Sequence, residues 1–326
     1  MSQKISKEAL FNEIKGSLFE FLVSKKLASL NQEELQFLTT IDQNYLKVLG
    51  QQDQLVRQFY PEMLSFLVAS ADLTVEKLNS YFHEFPRTPR LRGKFSQSAL
   101  SQDFTEADIL VETSQGPKAL SLKLNKMNSF VNTKSGGIKS FFLTYFSFLS
   151  EEHQENFNHF VDLEFERLGH ELHSLNDWDY PGHFSFWVSK GKSELPGELN
   201  ESERDCLKTF YARVASQMHQ ILSMALTQDK KKFIDSLAPL LGFSHLDILQ
   251  VICFHQFKTQ GSSTVEIHSY SDVIPHLQDV KILDFHQTSS VEIKIGPLDL
   301  QIRVKPMNKF TTTAIKINCS VRTKQS

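Results

Sequence analysis

Apolar side chains recur at helical spacing over residues 6–29, with Leu10, Phe11, Ile14, Leu18, Phe21 and Leu22 on one face and Ser6 placed to cap the start. The same period predicts helices over 32–51, 55–71 and 73–82. The stretch 84–102 breaks it: PRTPRLRG brings two prolines and a glycine close together, which predicts a loop. At Ala107 the period changes to two. ADILVET is apolar and β-branched, TSQGPK is turn chemistry and ALSLKL alternates, so 107–124 is expected to be a β-hairpin. A polar loop over 125–137 and a buried helix starting near Ser135 or Gly137 are expected next.

Helical periodicity returns strongly at 153–174 and 201–226 and more weakly at 230–241 and 245–259, around an irregular aromatic stretch at 177–197. From Ser263 the chain is β-rich: TVEIHSY, VKILDF, SVEIKIGPLDLQIRVK about a Gly-Pro turn, and AIKINCSV. These elements imply an α/β (α+β) fold, a mixed sheet flanked by helices. The expected segments are an N-terminal helical part (1–83) packing on a core (84–150, with the hairpin 107–124), a helical insertion (151–260) and a C-terminal β-rich part (261–326).

With 326 residues, 40% hydrophobic and 22% charged, the chain has room for one elaborated domain or two. No apolar run is long enough to predict a membrane span, and Glu8, Glu13, Lys15 and Glu20 interrupt the N-terminal apolar positions where a secretory signal needs an unbroken stretch. The expectation is a cytoplasmic protein without a membrane partner. Cys206, Cys253 and Cys319 are far apart and form no C-x-x-C pair, so neither a disulfide scaffold nor a zinc site is indicated. The net charge of −3 hides a segregation: 113–150 holds five lysines and no acid, 151–205 holds fourteen acids against four Lys or Arg, and 281–326 holds eight basic residues against three acids. Two basic stretches around an acidic one suit a polyanion-binding face opposed to a solvated one.

The hairpin carries the chemistry. Hydrolysis of a phosphodiester at a two-strand carboxylate site needs oxygen ligands for Mg²⁺ and a lysine near the attacking water or the developing charge. An acid at the start of one strand, Asp108, and a lysine on the next, Lys123, can point to one face. An upstream helix carries Glu20 in KGSLFEFLVSKKL. Together these residues resemble the PD-(D/E)XK nuclease superfamily. ALSLKLNK with the lysine-rich loop after it and GPLDLQIRVKPMNKFTTTAIKINCSV are similar to type II restriction endonucleases of the Hae type. The resemblance covers 107–145 and 290–322, and more weakly the helix around Glu20. It implies a restriction-endonuclease-like sheet and a type II restriction-type endonuclease that cuts double-stranded DNA with Mg²⁺, for which Mn²⁺ is an acceptable substitute. Asp108 and a second carboxylate would hold the metal, and Lys123 would position or activate water.

The chain departs from the superfamily pattern two residues before Lys123, where Ser121 stands in place of Asp or Glu. Glu112, four residues along the Asp108 strand, and Glu20 are the acids expected to compensate. If neither reaches the metal, the chain is a non-catalytic DNA-binding protein with a degenerate nuclease fold; a repair or recombination nuclease is the nearest enzymatic alternative. Asp284 with Glu292 and Lys294 matches the literal D…E-x-K pattern, although the intervening residues are few and a solvated strand face explains them as well.

Arg87, Arg90, Arg92 and Lys94 precede the Asp108 strand and are suited to phosphates or guanine edges. Asn125, Lys126, Lys134, Lys139, Arg303, Lys305, Asn308 and Lys309 complete the expected DNA-binding set, with Lys134 before a helix N-terminus. Residues 87–94, 123–139 and 303–309 are expected to form one mouth, and 151–260 to shape recognition or a homodimer contact. Trp178, Tyr180, His183 and Trp187 could stack on bases, but the acidic Asp177 and Asp179 beside them favour protein packing. The histidines form no metal-ligand spacing.

Overall fold

The computed structural model describes residues 2–91, 107–243, 247–255, 263–306 and 309–323. In chain order its helices and strands begin with α1 (Ser2–Leu30), α2 (Glu34–Thr39), α3 (Gln43–Phe59), α4 (Pro61–Phe82), β1 (Arg87–Leu91), β2 (Ile109–Thr113), β3 (Gly116–Lys126) and β4 (Val131–Gly137). Helices α5 (Phe141–Tyr145), α6 (Glu151–Ser174), α7 (Ser185–Ser189), α8 (Glu201–Gln228) and α9 (Lys230–Leu240) follow. The chain closes with β5 (Ile248–His255), β6 (Thr264–His268), α10 (Tyr270–Val273), β7 (Lys281–Ile282), β8 (Ser290–Ile295), β9 (Leu298–Pro306) and β10 (Ile315–Thr323). The mixed α/β class expected from the pattern is the one observed. Among the described residues no helix is long and apolar enough to cross a membrane.

The chain divides into two compact units, Met1–Ser129 with Phe243–Asp272, and Phe130–Gly242 with Val273–Ser326. Sheet one, in the first unit, has the order β1-β2-β3-β5-β6. Its β3 and β5 run parallel and its other pairs antiparallel. A parallel pair needs a crossover connection, and here the crossover contains Phe130–Gly242, the first part of the second unit. One sheet face presents Ile109, Val111, Leu120, Leu122, Leu249, Val251, Cys253 and Val265 to a core shared with Leu18, Val23 and Leu27 of α1 and Leu67, Ala71, Val75 and Leu78 of α4. At about 1.5–3 kcal/mol per fully buried large aliphatic side chain, this face fixes which way every strand residue points, because a one-residue slip would expose it.

Polar ties set the details around that core. The Asp42 side chain caps α3 by accepting from the Asn44 and Tyr45 N–H groups at 2.9 and 3.0 Å. Asn31 Nδ2 donates to the carbonyls of Leu27 and Pro86, both at 2.9 Å, tying the end of α1 to the entry of β1.

Sheet two, in the second unit, is antiparallel with the order β4-β10-β9-β8-β7. Val291, Ile293, Leu300, Ile302, Val304, Ile317 and Cys319 are buried, and α8 lies along β7, β8 and β9. Asn200 and Glu203 form a reciprocal capping box at the start of α8. Arg213 of α8 ties it to α6 through Glu164 (3.4 Å) and Glu171 (3.0 Å). The aromatic stretch is core: Trp187 is fully buried and packs with His173, Phe184 and Phe310.

Five expectations about elements are corrected. The helix expected to end at 51 and the one expected to begin at 55 are a single α3, and the break falls at Pro61, which lacks the N–H that a helix interior needs and opens α4. Part of the 84–102 loop is the strand β1, where Pro89 is tolerated because β1 is an edge strand with an irregular register. The 125–137 loop is mostly strand: β3 runs to Lys126 and β4 starts at Val131. The helix expected near Ser135 or Gly137 begins only at Ile138, as a 3-10 turn leading into α5. The helix expected over 245–259 is instead the central strand β5, buried along its whole length. The units also cut across the expected segments, since β5 and β6 belong with the hairpin and the rest of the C-terminal β-rich part does not.

Candidate active site

Asp108 stands just before β2, its backbone N–H donating to the Leu120 carbonyl at 2.8 Å. That bond begins the ladder in which Ile109 pairs with Leu120 and Thr113 with Gly116, so the hairpin turn lies far from Asp108. Three donors meet Oδ2 of Asp108: the Leu122 N–H at 2.6 Å, the Ser121 hydroxyl at 3.3 Å and the Lys123 ammonium at 3.4 Å. Oδ1 takes no protein donor among the described residues. The Asp108 and Lys123 side chains retain 22% and 33% of their exposure, so the pair opens to solvent on one side. Ser121 is buried; its hydroxyl orients Asp108 and replaces none of the missing negative charge.

Glu20 on α1 and Asp108 are both near enough to Tyr45 to act on it through their charge. Burial raises the pKa of the Tyr45 phenol on α3, and the charges of Glu20 and then Asp108 raise it further against a hydrogen bond with Ser17. Both carboxylates therefore act on one buried hydroxyl, and Tyr45 marks where α1, α3 and the hairpin converge. Glu112 is not brought to this place. It pairs with Pro117 beside the turn and opposite Arg87, and four residues of strand put it roughly 13 Å from Asp108.

Across the sheet, Ser121 pairs with Gln250 and Gln250 with His268. Pairing in register puts these side chains on the face that carries Lys123. Gln250 is buried, and His268 Nε2 lies 2.9 Å from Glu266 Oε2. Tyr45, Gln250, Glu266 and His268 were missed from the sequence. The sequence signal for Gln250 is a lone amide inside ILQVICFH, which the helical period expected over 245–259 conceals.

The expected DNA-binding residues fall into two sets. Arg87 and Arg90 on β1, and Asn125 and Lys126 at the end of β3, share the first unit with Asp108. Lys134, Lys139, Arg303, Lys305 and Lys309 lie in the second. Lys134 is on a strand rather than before a helix, and burial lowers its pKa. Lys139 pairs with Asp162 at 2.6 Å and Lys309 with Glu194. Arg92, Lys94 and Asn308 lie outside the described residues. Of the rival trio, Glu292 and Lys294 sit on the polar face of β8, where Glu292 accepts from Gln301 at 3.3 Å, while Asp284 follows β7 in an exposed position.

Among the described residues no three His, Cys, Asp or Glu side chains gather as a metal cage. Mg²⁺ does not require one, since one or two carboxylates plus water and substrate phosphate suffice. Asp108, held through Oδ2 with Oδ1 left to accept a ligand, fits as one carboxylate of that minimal donor set. In comparisons with known proteins, no family model, curated protein or solved structure matches this chain.

Proposed function

We propose that this chain is a Mg²⁺-dependent, restriction-type endonuclease that hydrolyses phosphodiester bonds of double-stranded DNA in the cytoplasm. One observation carries the reading: a carboxylate at the head of one strand and a lysine on the next meet at 3.4 Å, with the second carboxylate oxygen taking no protein donor among the described residues. The bound metal would supply Lewis acidity toward the scissile phosphate and lower the pKa of water. The Leu122 N–H and Ser121 hydroxyl hold Asp108 in orientation. The Lys123 ammonium, kept within reach of that carboxylate, stabilises negative charge developing on the phosphoryl oxygens. Tyr45 keeps its proton at neutral pH and so remains a donor beside two acids.

Incubation of several unmethylated DNAs with the protein and Mg²⁺ tests this. Discrete fragments are expected, abolished by EDTA and reduced by at least about 100-fold in Lys123→Ala. Cleavage that survives Lys123→Ala at the wild-type rate overturns the assignment. Ser121 in place of an acid favours a second reading, a protein that binds DNA without cutting it; binding with no metal uptake in calorimetry would establish that instead. Metal-dependent degradation without defined fragments would point to a repair or recombination nuclease.

A further inference from the structure

The polar face of sheet two carries two like-charged pairs directly opposite one another across the ladder. Lys281 faces Lys294 between β7 and β8, and Lys305 faces Lys316 between β9 and β10. Like charges in register are destabilising, and natural sheets usually place an opposite charge there. Among the described residues none of Lys281, Lys294, Arg303, Lys305 and Lys316 forms an ion pair, and all five are exposed; the acids on the same face are engaged elsewhere, Asp299 opposite Lys294 by Arg322 at 3.1 Å and Glu292 by Gln301 at 3.3 Å. Elsewhere in the same unit Lys139, Lys192, Arg213, Lys309 and Arg322 each form an ion pair. Arg303 extends the second pair, on the face it shares with Asn318 and Ser290, its ladder partners.

We infer that this face is a second DNA-contact surface that grips the phosphate backbone without reading sequence. The inference rests on the reading that DNA is the substrate and adds where the duplex is held. Lys294 is opposite Asp299 on β9, so six residues of strand separate the Lys281/Lys294 pair from the Lys305/Lys316 pair, roughly 20 Å. A compact anion cannot bridge that span. A duplex carrying one charge per roughly 1.7 Å of axis meets both pairs at once, and its phosphates offset the repulsion within each.

Binding of a 30-base-pair duplex in EDTA, measured over a range of salt, tests the surface independently of cutting. In Lys294→Gln/Lys305→Gln/Lys316→Gln the slope of log K against log salt is expected to fall by about 0.9 per lost contact, close to 3 in all. A matched control, Lys47→Gln/Lys77→Gln/Lys231→Gln, should keep the wild-type slope. The face variant should stay folded, because all three substituted side chains are exposed. An unchanged slope in the face variant, or a loss of binding to anionic phosphatidylserine vesicles with DNA binding intact, overturns the inference. Lys123→Ala should lose cleavage while lowering the slope by no more than about 0.9, one contact against the three of the face variant, so failure of the active-site assignment and failure of this surface are read separately.

Discussion

Asp108 is held by three donors of unequal weight, and the differences make the residue-scale account testable. Asp108→Asn keeps the shape and removes the charge that both Lys123 and a cation would meet; cleavage should fall by at least about 100-fold with little change in melting temperature. Ser121→Ala removes one hydrogen bond of the ordinary net worth of about 1 kcal/mol, so the cleavage rate should change by less than about tenfold. A larger loss would make Ser121 a direct participant. Glu112→Gln should leave cleavage unchanged, since the hairpin carries Glu112 to its far end.

His255 provides a pH dependence of known sign. Burial, helped by Lys15 and Lys126, lowers its pKa to about 4. Above pH 6.5 it is neutral in both folded and unfolded chains. Between about 6.5 and 4 the unfolded chain binds more protons, so stability falls as the pH drops through that window, by up to about 3 kcal/mol. Urea melts at pH 7 and pH 4 should show the loss, and His255→Leu should flatten it; a profile as steep in the variant would assign the effect to other groups.

At the scale of elements, what was legible depended on whether periodicity discriminates. The hairpin was readable because alternation, a turn sequence and a second alternation coincide within 107–124. The placement of Asp108 and Lys123 on one face followed from it. β5 was not readable, because ILQVICFH is a continuous apolar run and a strand buried on both faces has no period to distinguish it from a buried helix. That error hid Gln250 and the parallel pairing with β3. Pro89 argued for a loop, and only the edge position of β1 in the sheet makes a strand there acceptable. Nothing in the sequence sets Tyr45 apart on its helix; its setting depends on the charges of Glu20 and Asp108, which come from distant elements. The Asp42 cap sets the start of the helix that carries Tyr45. Asp42→Ala is expected to cost about 1 kcal/mol in chemical denaturation, and no measurable change would mean that other contacts fix α3.

For the whole molecule, the charge segregation seen along the chain is only partly a segregation in space. The lysines of 113–150 divide between the two units, and Lys139 is neutralised by an acid from the acidic stretch. Of the C-terminal cations, Lys281, Lys294, Arg303, Lys305 and Lys316 are by contrast laid out on one sheet face by strand register, which composition does not reveal. The crossover between β3 and β5 makes the first unit depend on a segment that returns only after Gly242, and the buried β5 amides should be among the slowest to exchange with solvent.

The central claim concerns Asp108 and Lys123, and one measurement addresses it most directly: single-turnover cleavage of a panel of unmethylated DNAs with Mg²⁺, comparing the wild type with Lys123→Ala at matched folded fraction. The account predicts Mg²⁺-dependent fragments from the wild type and a rate at least about 100-fold lower from the variant. Equal rates from both, or no cleavage of any DNA by a wild-type protein that binds it, would contradict the account.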